Sequence, residues 1–128
     1  MSLPAYFQNS IIEMTERLEQ AYIANKIEKV STLNMNQIIP WFLAQRKQYP
    51  QSDAGILMRY SAVQEKKHGS IRKWLFRGMQ KGYVQFLLDE EDREVREIDQ
   101  LVMRYFEADA EDDEIKKQFG NSNIIRFE

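Results

Sequence analysis

The stretch His68–Ile98, HGSIRKWLFRGMQKGYVQFLLDEEDREVREI, constrains this chain more than any other. Its first part has helical periodicity. Ile71, Leu75, Gly78, Met79 and Gly82 share one face, and Ser70, Lys73, Arg77 and Lys81 share the other. Lys81-Gly82 closes that helix with a cation in its last turn and a residue free to take a positive φ. An apolar, extended run follows from Tyr83 to Leu88, turns through Asp89-Glu90-Glu91-Asp92 and returns through Arg93 to Ile98.

A basic helix followed by a β-ribbon is the layout of a winged helix-turn-helix, with the helix in the major groove and the ribbon beside it. The expected fold class is therefore mostly α with a small β-hairpin wing. Residues 5–30 and 99–128 are expected to form dimerisation helices around a 33–98 DNA-binding lobe, all in one domain of 128 residues. Phe7, Ile11, Met14, Leu18 and Ala21 alternate at spacings of four and three, predicting a long first helix to about Lys29. Val30–Asn36 reads as a connection with Asn34 or Asn36 as N-cap, and the next helix runs to about Gln48, with Pro40 delaying or bending it. Ser52 caps a third helix to about Glu65, whose Ile56, Leu57, Tyr60 and Val63 share a face. Lys66-Lys67-His68-Gly69 then forms the turn. Asp99 starts a final helix through Leu101, Val102, Tyr105 and Phe106, the helix continues to Phe119, and Gly120-Asn121 ends it. The apolar tail Ile124–Phe127 docks on its own domain or on a partner subunit.

The chain resembles the MarR family of bacterial transcription regulators over roughly Leu33 to Asp99. Lys81-Gly82-Tyr83-Val84 matches the family's step out of the recognition helix. Asp89-Glu90-Glu91-Asp92-Arg93 matches its wing turn with an Asp-Arg pair. Lys66-Lys67-His68-Gly69-Ser70 stands where the family has a Ser/Thr-rich start, and Arg96 and Glu97 make the second wing strand more charged than usual. The resemblance implies a transcription regulator, a homodimer on a pseudo-palindromic operator in double-stranded DNA. It also implies that Arg93 enters the minor groove, that Asp92 braces the wing, and that a small aromatic effector binds between the dimerisation helices and the DNA-binding lobe. Trp41, Phe42 and Tyr60 are the candidate lining of such a pocket, although a packed core accounts for them better.

Charge is partitioned along the chain. Residues 1–44 carry a net charge of -1, residues 45–81 carry +7 and residues 82–128 carry -8, giving the total of -2. The positive block coincides with the expected DNA contacts Lys66, Lys67, His68, Ser70, Arg72, Lys73, Arg77 and Lys81, with Arg93 from the wing. A solvated surface also accounts for such a run, and a winged-helix protein-interaction module without DNA binding is the competing expectation. A phage or plasmid replication or partition factor is another.

Catalytic chemistry finds no constellation. His68 is the only histidine and no nucleophile-elbow sequence accompanies it. With no cysteine, disulfides and thiolate metal sites are excluded. Asp109, Asp112 and Asp113 lack the glycine and terminal glutamate of an EF-hand loop. No cofactor, metal or enzymatic activity is expected. No apolar run approaches the ~18 residues of a membrane span, and no signal-peptide layout is evident, so a cytoplasmic protein is the expectation.

Overall fold

A computed structural model describes residues 13, 14, 16, 17, 20, 28–59 and 82–128. Its centre is a five-stranded sheet, and the expected mostly-α winged helix-turn-helix is not what the chain forms. The strands are β1 (Glu28–Leu33), β2 (Ser52–Arg59), β3 (Gly82–Asp89), β6 (Met103–Glu111) and β7 (Ile124–Phe127). A two-stranded hairpin pairs β4 (Arg96–Glu97) with β5 (Gln100–Leu101). The helices are α1 (Met35–Gln48) and α2 (Asp113–Phe119), and Glu13, Met14, Glu16, Arg17 and Gln20 are helical as well. The sheet order is β1-β6-β3-β2-β7, with β1 parallel to β6 and every other neighbour antiparallel.

The sheet is covered on both faces. Ala54, Ile56, Met58, Val84, Phe86 and Leu88 pack with Met14 on one side. Leu57, Tyr83, Leu87, Phe106, Ala108 and Ile125 pack with Ile38 and Phe42 of α1 and Ile115 and Phe119 of α2 on the other. Successive residues of one strand thus go to opposite layers, as the pleat requires. A strand buried on both faces reads as a continuous apolar run, which periodicity alone does not separate from a buried helix. That explains the main corrections. Ser52–Arg59, expected as the start of a third helix, is a strand. Leu101–Phe106, expected to open a C-terminal helix, leads into the nine-residue β6. The 99–128 dimerisation helix is therefore replaced by β5, β6, α2 and β7. The 33–98 lobe is no separate unit, because β6, from outside it, pairs directly with its β3 and carries β1 on its other edge.

Other expectations meet the structure more closely. Asn34 caps α1, and its backbone N–H donates to the Gln37 side chain at 3.0 Å. The helix ends at Gln48 but starts at Met35, with Pro40 inside it. Around that interrupted turn, the sheet supplies donors: Arg104 Nη1 to the Gln37 carbonyl at 3.0 Å and Gln85 Nε2 to the Ile38 carbonyl at 3.1 Å. Pro40 lacks the donor that would reach the Asn36 carbonyl, and the next two carbonyls of that turn each accept from a side chain of the sheet. The first helix does not reach Lys29, since Glu28 and Lys29 belong to β1. Gly120 ends α2 with a φ of 55°, and the tail Ile124–Phe127 docks on its own domain against β2.

The extended run Tyr83–Leu88 is a strand, but it lies between β2 and β6 in the middle of the sheet and is not a protruding wing. Its return segment pairs with it briefly, at a Leu88–Glu94 bridge, before turning away into β4. The bridge is held by the Asp89 N–H donating to the Arg93 carbonyl at 2.8 Å and the Val95 N–H donating to the Leu87 carbonyl at 2.9 Å. Among the described residues no helix is long and apolar enough to cross a membrane.

Gly55 sets how closely α1 approaches. A Cβ there would stand 2.6 Å from the Phe42 ring, which also packs against Phe127 at 5.2 Å between centroids. Gly55→Ala is expected to destabilise the fold by about 1–3 kcal/mol through overpacking. Phe42→Leu in the same chain should recover part of that loss. Urea denaturation of the two single variants and the double variant measures both effects.

Candidate functional site

The C-terminal part of the basic block, residues 60–81, connects Arg59 at the end of β2 to Gly82 at the start of β3. Those strands are hydrogen-bonded neighbours and Arg59 pairs with Tyr83. The connection therefore leaves and re-enters the sheet at adjacent positions on one end. Lys66, Lys67, His68, Ser70, Arg72, Lys73, Arg77 and Lys81, and Tyr60 of the expected effector pocket, all lie outside the described residues.

What the structure does show is the mount. Arg59 grips Glu111 through two bonds, Nη2 to Oε1 at 2.7 Å and Nε to Oε2 at 3.0 Å. Tyr83 donates its hydroxyl to Oε2 at 2.6 Å. The guanidinium lies 4.0 Å over the Phe119 ring, and its Nη1 donates to the Ser122 carbonyl at 3.3 Å. The Arg59 backbone N–H also donates to the Asn123 carbonyl at 2.9 Å. One carboxylate thus joins the end of β2, the start of β3 and the end of β6. The arginine extends the tie to α2 and to the loop before β7. The Glu111 side chain is 7 % exposed, so these bonds replace most of its hydration.

Burial pushes the Tyr83 hydroxyl well above its ordinary range, the Glu111 carboxylate adds to the rise, and Arg59 opposes it. Both carboxylate oxygens of Glu111 are engaged by fork-like and charge-assisted bonds, an arrangement suited to fixing backbone positions. Neither Arg59 nor Glu111 stood out in the sequence, and Tyr83 did so only as part of the extended run and its Lys81-Gly82-Tyr83-Val84 step. Arg59 and Glu111 are 52 residues apart, and only the sheet order brings them together.

The remaining expected site residues are dispersed. Arg93 lies in the turn after β3, and its Nη2 stands 2.7 Å from Glu91 and its Nε 3.6 Å from Asp89. Its charge is answered locally by carboxylates, not held out on a ribbon tip. Asp92 accepts from Arg126 Nη1 at 3.0 Å, which links this turn to β7. Phe42 is buried in the core against Gly55, whereas Trp41 is half-buried and lines a cleft of about 210 Å³ with Arg17, Gln45, Tyr49 and Glu97. Trp41 and Phe42 meet edge-on at 5.6 Å, and the described lining of the Trp41 cleft does not include Phe42. Among the described residues, no group of three His, Cys, Asp or Glu side chains is placed to hold a metal ion.

No protein-family model matches the sequence, and no curated protein or solved structure shows significant similarity to it. The resemblance to the MarR family gains no support from these comparisons.

The mount makes two measurable demands. Glu111→Ala leaves Arg59 and Tyr83 without their partner and should cost about 3–5 kcal/mol. Replacing both charges, as Arg59→Met with Glu111→Leu, should cost much less than the sum of the single losses. Tyr83 gives a pH signature. Its folded value is raised, so its contribution is complete below the ordinary tyrosine value near 10 and is lost as pH rises above it. Denaturation midpoints at neutral and alkaline pH should show the wild type losing more stability above pH 10 than Tyr83→Phe.

Proposed function

We propose that this protein binds double-stranded DNA through the basic 60–81 connection, with the sheet domain as its scaffold and no catalytic step. The observation that carries this reading is a partition of charge. Residues 60–81 contain six lysines and arginines and one glutamate, net +5, so the other residues together carry -7. The cations Lys66, Lys67, Arg72, Lys73, Arg77 and Lys81 are interspersed with Trp74 and Phe76, a composition suited to phosphate contact beside base or sugar contact. The residues on either side of the segment, Arg59 and Gly82, stand next to each other at the Arg59–Glu111–Tyr83 mount, so the sheet fixes where the segment is attached. A cysteine-free chain and a DNA partner both fit the cytoplasm.

This reading assigns no role in DNA contact to Arg93, whose neighbours Glu91 and Asp89 already balance it and would repel phosphate. Fluorescence anisotropy with a labelled duplex should show affinity falling steeply between about 50 and 200 mM salt, with a log-log slope near -0.9 per phosphate contact. Lys67→Ala should weaken binding and make the slope shallower by about one, and Arg93→Ala should change neither. Absence of duplex binding at low salt, or equal losses in the two variants, contradicts the proposal.

A further inference from the structure

The cleft of about 210 Å³ beside Trp41 lies where three parts of the chain converge. One wall is α1, whose Trp41 and Gln45, with the C-cap Tyr49, recur every four residues and so follow one line along the helix. The facing wall is the β4–β5 hairpin, where Glu97 and Gln100 are directly paired, which puts both side chains on one face. Arg17 and the start of β6 at Met103 complete the lining.

The walls are braced. Tyr49 donates its hydroxyl to Glu97 Oε2 at 2.7 Å, tying the hairpin to the end of α1. Glu13 holds the hairpin from elsewhere, accepting from Arg96 Nη1 at 2.6 Å and from the Leu101 N–H at 2.7 Å. Arg17 donates to the Leu101 carbonyl and stands 3.9 Å from the same glutamate. The cleft is therefore formed before anything enters it, as small-molecule sites generally are.

Polar capacity is left over inside it. The side-chain amides of Gln45 and Gln100 and the indole N–H of Trp41 bond to no group among the described residues. Glu97 Oε1 likewise has no partner among them. Each amide offers donors and an acceptor, the indole a donor and the carboxylate an acceptor. Both nearby arginines, Arg17 and Arg96, are already engaged by Glu13, so no free cation waits for a phosphate or carboxylate.

These properties select the occupant. Sites for drug-sized molecules enclose roughly 300–1,000 Å³, so this smaller cleft takes one or two rings. Trp41 supplies an aromatic wall for a flat ring system. A carboxylate beside amide donors fits a neutral edge that carries two adjacent N–H groups and a carbonyl. Guanine has that edge.

We infer that this cleft binds a guanine-type base, free or as its nucleoside. Glu97 accepts from the ring N–H and the exocyclic amine, a glutamine amide donates to the carbonyl, and Trp41 packs against the rings. The site does not rest on the DNA reading. Met103 opens β6 whereas Glu111 ends it, so the cleft and the attachment of residues 60–81 lie at opposite ends of the sheet.

Isothermal titration calorimetry of the full chain with guanosine should show saturable one-to-one binding with a dissociation constant below ~1 mM. Adenosine should bind at least ~10-fold more weakly, because its corresponding edge turns an acceptor toward Glu97. Guanosine 5′-monophosphate and a guanine-containing single strand should bind more weakly than guanosine at low salt, since Glu97 and Asp99 repel phosphate. Glu97→Gln presents one acceptor and one donor, so it should lose guanosine and erase the preference over adenosine while the melting temperature stays close to wild type. Gln100→Ala should weaken guanosine several-fold. No saturable guanosine binding, equal affinity for adenosine, or an unchanged preference in Glu97→Gln would each overturn the inference. Tighter binding of the phosphorylated ligands would overturn its assignment to a free base or nucleoside.

Discussion

Burial of β3 on both faces is the constraint from which the rest of this architecture follows. Seven of its eight residues are buried. Tyr83, Gln85 and Leu87 face the α1 layer, and Val84, Phe86 and Leu88 face the layer that contains Met14. Covering one large apolar side chain is worth about 1.5–3 kcal/mol, so leaving either face in water would forfeit an amount comparable to the whole margin by which small domains are stable. The chain therefore needs a layer on each side and a strand on each edge of β3. It obtains the strands from before and after in sequence, β2 on one edge and β6 on the other.

That two-sided burial also determines what could be read from the residues alone. Tyr83–Leu88 was legible as extended because Gly82 and Asp89 bound a short apolar run rich in aromatic and branched side chains. Its place in the sheet was not, because a hairpin wing and a central strand present the same local pattern. Ala54-Gly55-Ile56-Leu57-Met58 looked helical for a related reason: with both faces buried, no alternation survives to mark a strand. Gly55 was the available clue, being poor in a helix interior and needed where the Phe42 ring crosses the strand. In β6 the alternation was obscured by Arg104, which lies on the α1 side as a hydrogen-bonding group between apolar neighbours. The charge partition was fully legible, whereas the Arg59–Glu111–Tyr83 mount depends on strand order and left no local trace.

The buried polar groups fix register more than they add stability. Gln85 is fully buried in an otherwise apolar strand, donating to the Ile38 carbonyl and accepting from Arg104 Nη1 at 3.1 Å. A one-residue slip of β3 would turn that amide into the layer around Met14 and put Phe86 against α1. Arg104 is itself held by Glu28 through two bonds of 3.0 Å, which ties β1 to β6 at the sheet's edge. Ion pairs of this kind return little net energy after desolvation, but a misaligned alternative would strand them unpaired. The same reasoning applies at the mount, where an altered pairing of β2 with β3 would separate Arg59 from Tyr83.

Overall acidity does not count against a DNA-binding role for a domain built this way. Residues 60–81 join the sheet at Arg59 and Gly82, and the acidic turn Asp89–Asp92 lies at the other end of β3. Eight residues of strand span roughly 25 Å, about three Debye lengths at physiological salt. Across that distance the turn's carboxylates are screened from a phosphate held near the attachment point, whereas a lysine on the segment in direct contact with it is not. Closer to the attachment, Glu111 is neutralised by Arg59 and enclosed, so it projects little field toward an arriving polyanion. The mount therefore has a second consequence beyond anchoring. It pairs one carboxylate near the attachment, Glu111, with Arg59, so that this buried charge does not oppose the segment's cations.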